Sequence, residues 1–157
     1  MNNIYDTTKP HSIILWLTEN FESLNLAKGD ELDSNKYYLL LWETGEKLNH
    51  FTVYFNKRVI HCAPNYNASN VSIQQYLATY PKHDLKGVYQ VLKPNPSKSQ
   101  TIMDTIWTKQ ENCLTFCLDY LGLEYAGKFL INIELMENFM KSSNQKKNSS
   151  IIILWYI

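Results

Sequence analysis

Two short runs, His50-Phe51-Thr52-Val53-Tyr54-Phe55 and Arg58-Val59-Ile60-His61-Cys62-Ala63, are separated by only Asn56-Lys57. Both are rich in aromatic and β-branched residues, which fit a pleated, half-buried surface, so the short gap predicts a β-hairpin. A two-residue loop fixes the register: Phe55 opposes Arg58, and Thr52 then opposes His61. His50 and His61 share a face as a result. They take diagonal positions about 7 to 8 Å apart between backbones, within reach of each other's side chains. A loop of odd length would put them on opposite faces.

The rest of the chain reads as a small mixed domain. Residues 11 to 24 place Ile13, Ile14, Leu17 and Phe21 at helical spacing after Pro10, so a helix is expected there. A polar break at Gly29, Asp30, Asp33, Ser34 and Asn35 precedes Tyr37 to Trp42, an apolar run that reads as a buried strand. Ser72 and Gln75 have capping-box spacing and predict a short helix near 72 to 80, stopped by Pro81. Val88 to Leu92 reads as a further strand. The stretch Pro94-Asn95-Pro96-Ser97 is a loop leading to Asn112, a good N-cap, and Cys113, Phe116, Cys117 and Tyr120 then line one helix face, with Gly122 as a C-terminal cap. A last helix is expected near 124 to 140.

At 157 residues the chain supports one domain, expected over 1–140 with its core at about 36–140. Residues 141–150 form a polar linker. Ile151 to Ile157 are apolar throughout but too few to span a bilayer, which takes about twenty residues. This tail is expected to be a final strand, or a contact with a membrane surface or a protein partner.

Fifteen basic residues balance fifteen acidic ones, so no global field favours nucleic acid, and nucleic acid is not an expected partner. The polar N-terminus does not read as a secretory signal, which makes the cytoplasm the expected location, with membrane association through the tail. Three cysteines cannot all pair and none forms a C-x-x-C, so free thiols are expected. No glycine-rich phosphate loop, dinucleotide fingerprint or nucleophile elbow is present, and no cofactor is expected.

Nucleophilic thiol chemistry needs a cysteine that ionises near neutrality, a base within hydrogen-bond reach and a third group that orients the base. Cys113 is favourably placed because a helix N-terminus stabilises a thiolate. Cys62 follows His61 onto the other face of its strand, and Cys117 lies one turn beyond Cys113; both read as core. His11 and His83 have no such company and read as surface residues. Zinc binding by His50, His61 and Cys113 is a weaker alternative, since no fourth ligand is evident.

These residues together resemble a known family. Asn49 to Phe55 followed by Val59-Ile60-His61-Cys62-Ala63-Pro64 is similar to the H-box region of lecithin:retinol acyltransferase-like proteins, and Asn112-Cys113-Leu114-Thr115-Phe116 resembles their Asn-Cys box. That family is a circularly permuted branch of the NlpC/P60 papain-like fold and includes small phospholipases, N-acyltransferases and H-box/NC proteins of some viruses. The resemblance covers roughly residues 36 to 64 and 111 to 122. It implies an α+β, permuted papain-like fold with a small antiparallel sheet packed against helices. It further implies Cys113 as nucleophile, His50 as general base and His61 as the residue orienting that base, acting on a lipid or other acyl substrate through a thioester. The sequence departs from the family in lacking a turn glycine in the hairpin, a Glu-His after Cys113 and a long C-terminal membrane helix. A non-catalytic binding protein that keeps the fold is the alternative expectation.

Overall fold

The computed structural model of the chain describes residues 10–24, 26, 30–45, 49–63, 68–96 and 113–123. The expected helix near 124–140, the apolar tail, Pro64 and Asn112 lie outside these residues.

Helix α1 (Pro10–Asn20) ends sooner than its hydrophobic spacing predicts. Asn20 turns its side chain back to donate a hydrogen bond to the Trp16 carbonyl (2.9 Å), and the chain then enters strand β1 (Phe21–Ser23). Phe21 therefore belongs to the sheet, not to the helix. Its position four residues after Leu17 suits a helix equally well, and pairing with a distant strand decides the matter. That partner is β6 (Asp84–Val91), with Phe21 opposite Val91.

Strands β2 (Tyr37–Glu43), β3 (His50–Phe55) and β4 (Arg58–His61) fall where the sequence predicts them. Two features were not anticipated. Strand β5 (Ser69–Ser72) is polar and carries no hydrophobic alternation, and β6 begins at Asp84, four residues ahead of the expected Val88. Together the strands form one six-stranded sheet in the order β1-β6-β2-β3-β4-β5, every neighbouring pair antiparallel. The molecule is thus an α+β protein built on a small antiparallel sheet.

Both faces of the sheet are covered, which is why central β2 is an unbroken apolar run with Tyr38 to Trp42 all buried. On one face, Leu39, Leu41, Phe51, Val53, Ile60 and Cys62 join Trp16 and Leu17 of α1 and the buried side chains of α3 (Cys113–Tyr120). On the other, Tyr38, Leu40, Trp42, Tyr54, Val59, Leu85 and Val88 meet Ile73 and Tyr76 of α2 (Ile73–Thr79). Helix α2 starts as predicted, with the Ser72 hydroxyl accepting from the Gln75 amide at 3.0 Å.

Helix α3 also ends as predicted. Gly122 sits at φ +70°, its amide donating to the Asp119 carbonyl (3.1 Å) while the Leu123 amide reaches the Leu118 carbonyl (3.1 Å). This is the Schellman pattern that a left-handed glycine permits. The Asn95 amide donates to the Leu121 carbonyl at 2.8 Å, tying the end of α3 to the chain that leaves β6.

Candidate active site

The hairpin between β3 and β4 positions the two histidines. Asn56 and Lys57 have φ of 50° and 66°, the pair of left-handed residues that a type I′ turn requires and whose twist matches the strands. Asparagine tolerates this region well; lysine occupies it at a cost. Phe55 opposes Arg58, Tyr54 opposes Val59 and Val53 opposes Ile60, which is the even-loop register read from the sequence.

His50 and His61 consequently meet on one face. Nε2 of His50 lies 3.0 Å from Nδ1 of His61, with the ring planes 80° apart. A hydrogen bond across this distance needs one nitrogen to donate and the other to accept, so the tautomers of the two rings are coupled. Both side chains are buried, with exposures of 7% and 4%. Burial is the main reason that the His50 pKa falls well below the usual imidazole range, and the neighbouring charges of His61 and His83 add to it. Burial likewise brings His61 down to about 4, with His83 again contributing. At neutral pH the pair is uncharged, the state in which an imidazole can accept a proton.

Sequence reasoning missed the other half of this cluster. His83, read as an isolated surface residue, is only partly exposed, and its Nδ1 lies 2.8 Å from the Tyr76 hydroxyl. Its ring stacks on Tyr80 (centroids 4.7 Å apart, planes at 20°) and stands 5.9 Å from His50. Tyr76 and Tyr80 both present edges or faces to His61 at near-right angles, 5.1 and 5.7 Å away. Their spacing of four residues on α2 was the available signal, since it puts two rings on one helix face. The indole of Trp42 backs Tyr76 at 4.8 Å and donates from Nε1 to the Thr52 hydroxyl (2.9 Å).

Cys113 opens the described part of α3, its expected cap Asn112 lying outside the described residues, and is buried at 4% exposure. Its helix packs with Phe51, Val53, Ile60 and Cys62, the alternate residues of β3 and β4, whereas His50, Thr52, Val59 and His61 point to the α2 face. The sheet therefore brings the two histidines together and places the helix that begins with Cys113 on its other side. The Tyr76 pKa is raised well above the ordinary phenol value, first by burial and then by Tyr80, with Cys113 and Cys117 adding to the rise. Cys62 and Cys117 take the core positions expected of them, and burial, followed by Cys113 and Cys62, pushes the Cys117 thiol well up.

Among the described residues no group of three or more His, Cys, Asp or Glu side chains is arranged to hold a metal ion. No helix among them is long and apolar enough to cross a membrane. No protein-family model, curated protein or solved structure matches the chain.

Proposed function

We propose that this chain is a cysteine-dependent acyl-transfer enzyme of permuted papain-like type, with Cys113 as nucleophile, His50 as base and His61 orienting it. The observation that carries this reading is the contact between His50 Nε2 and His61 Nδ1. In this reading Nε2 of His50 donates to His61, which leaves Nδ1 of the neutral ring bare as the nitrogen that takes the thiol proton.

In this scheme the Cys113 sulfur attacks an ester or amide carbonyl as His50 removes its proton. The tetrahedral intermediate collapses when imidazolium His50 returns that proton to the departing alcohol or amine, leaving a thioester on Cys113. Water or an amine, deprotonated by His50, then attacks the thioester and releases the acyl group. The resemblance of the H-box and Asn-Cys regions makes a phospholipid acyl chain the first substrate class to examine. A cytoplasmic site of action, with residues 151–157 touching a membrane surface, belongs to the same proposal.

A second reading is favoured by a specific observation, the packing of α3 against the face of the sheet that the histidines do not use. In that reading the protein keeps the fold as a binding module, and its thiol is structural. Iodoacetamide labelling of the folded chain near neutral pH separates the two. The enzyme reading expects Cys113 to be modified far faster than Cys62 or Cys117 and the His50→Ala variant to lose that advantage. Equal, slow labelling of all three thiols removes the enzyme reading. Loss of biological effect on deleting residues 148–157, but not on Cys113→Ala, would then support the binding module.

A further inference from the structure

His61 can face His50 with Nδ1 in only one of its two ring orientations, because turning the ring by half a rotation replaces that nitrogen with a carbon. Nothing in the β4 backbone selects between the two. The selection comes from α2. Tyr76 and Tyr80 pack against the imidazole nearly perpendicular to it, at 83° and 85° to its plane and 5.1 and 5.7 Å away. Tyr76 is itself wedged against Trp42 and anchored through its hydroxyl to His83 Nδ1 at 2.8 Å.

We infer that Tyr76 and His83 form a second, positioning pair that holds His61 in register with His50, and that protonation of His83 releases it. The geometry supplies the reason. The Tyr76 hydroxyl is buried and stays protonated, and in the inferred arrangement it donates to Nδ1 of neutral His83. Once His83 takes a proton, Nδ1 becomes a donor, the phenol must accept, and its own proton has to find a new partner inside an apolar wall. The new charge also stands 5.9 Å from the ring of buried His50.

His83 is the histidine of the cluster with access to solvent. From α2 it is faced by Tyr76, from the C-terminal cap of that helix by Tyr80, from β3 by His50 and from β4 by His61, the last coupled to it electrostatically. Its chain neighbours Lys82 and Asp84 are exposed, and Asp84 is engaged by Lys86 at 3.0 Å, which also meets Glu43 at 3.6 Å. The carboxylate next to His83 in sequence is thus partly neutralised, and its ring contacts are with aromatic and imidazole groups.

This inference deepens the proposed thiol chemistry by regulating the same site, but its first readout is independent of Cys113. Imidazole nitrogen NMR on the full chain, from about pH 8 to about pH 5, reports tautomer and charge for each histidine. The expected result is one fixed tautomer for His61 at the alkaline end, giving way to an averaged pattern as His83 titrates. Tyr76→Phe keeps the ring but removes the anchor, so His61 should show the averaged pattern at every pH. His83→Gln offers an amide oxygen that can accept from Tyr76 without titrating, so His61 should keep its fixed tautomer across the range.

A fixed His61 tautomer in Tyr76→Phe, or an unchanged pH response in His83→Gln, overturns the inference. The partly exposed position of His83 makes the glutamine variant the safeguard if the phenylalanine variant does not fold. Iodoacetamide labelling followed over the same pH range then asks about the thiol. Rapid labelling of Cys113 that falls with His83 protonation joins the two proposals. Slow labelling at every pH ends the enzyme reading and leaves the histidine result to stand by itself.

Discussion

His50 Nε2 and His61 Nδ1 lie 3.0 Å apart because two residues, and not three, connect their strands. The contact is a property of the turn as much as of the histidines. Asn56 and Lys57 both adopt positive φ, and the Lys57 carbonyl accepts from the Ile73 amide (3.0 Å), so the same turn also seats the start of α2 and hence Tyr76.

Turn chemistry should therefore be measurable in stability. A β-branched residue at φ 66° clashes with its own backbone, and Lys57→Val is expected to lose about 1–2 kcal/mol. Lys57→Gly relieves that strain while adding unfolded-state entropy, for a net change between about 0 and 1 kcal/mol of stabilisation. Urea unfolding of the two variants checks the ordering, and a Lys57→Gly protein weaker than Lys57→Val contradicts the left-handed turn. Inserting a single glycine between Asn56 and Lys57 should abolish the coupled His50–His61 signals in imidazole NMR, since an odd loop shifts the register.

Gly122 provides a second test, with Gly45 as its control. Both have positive φ, +70° and +84°, so alanine at either should cost about 1–2 kcal/mol in backbone strain. At Gly45 a new Cβ meets nothing within 4 Å among the described residues. At Gly122 it would run into the backbone carbonyl of Asn95, which cannot move without breaking its neighbouring amide's bond to Leu121. Thermal or urea unfolding should show Gly122→Ala losing about 2 kcal/mol more than Gly45→Ala. Equal losses would place the end of α3 away from Asn95.

Thr52 sits between the two halves of the cluster, accepting from the buried Trp42 Nε1 at 2.9 Å. Thr52→Val keeps the shape and removes the acceptor, leaving an indole N–H without its partner inside the core. A loss of about 1–3 kcal/mol is expected, with Thr52→Ser recovering most of it. Matching stabilities for the valine and serine proteins in urea titrations would mean that the indole proton finds another acceptor.

What was legible in the sequence is what local pattern determines. The hairpin was readable because aromatic and β-branched runs flank a two-residue gap, and the ends of α2 and α3 because Ser72 and Gly122 are specific capping residues. Strand β5 was not, since Ser69, Asn70 and Ser72 have the composition of a loop and are recruited by pairing with β4. The start of β6 was hidden by Lys86 and Gly87 and by a register shift opposite Leu41 and Trp42, which interrupts alternation. For the site, facing of His50 and His61 followed from register alone. The side of the sheet taken by α3 and the meeting of His83 with Tyr76 depend on tertiary packing, to which neither spacing nor residue type gives a guide.

The strongest bulk consequence of the histidine cluster is a dependence of stability on pH. In the unfolded chain His61 titrates near 6.5, whereas in the folded protein burial holds it down to about 4. Between these values the unfolded chain binds the proton and the folded one does not, so acid favours unfolding. The stabilisation is complete above about pH 6.5, falls as pH drops toward about 4, and stops changing below that. From about pH 7 to about pH 5, His61 alone removes about 2 kcal/mol, and His50, also lowered by burial, adds to the loss. Urea midpoints measured at the two pH values should reveal this loss, and His61→Asn should shrink it by about 2 kcal/mol whatever the substitution costs at neutral pH. If both proteins lose the same stability on acidification, His61 is not held neutral by the fold, and the fixed imidazole on which the proposed base depends does not exist.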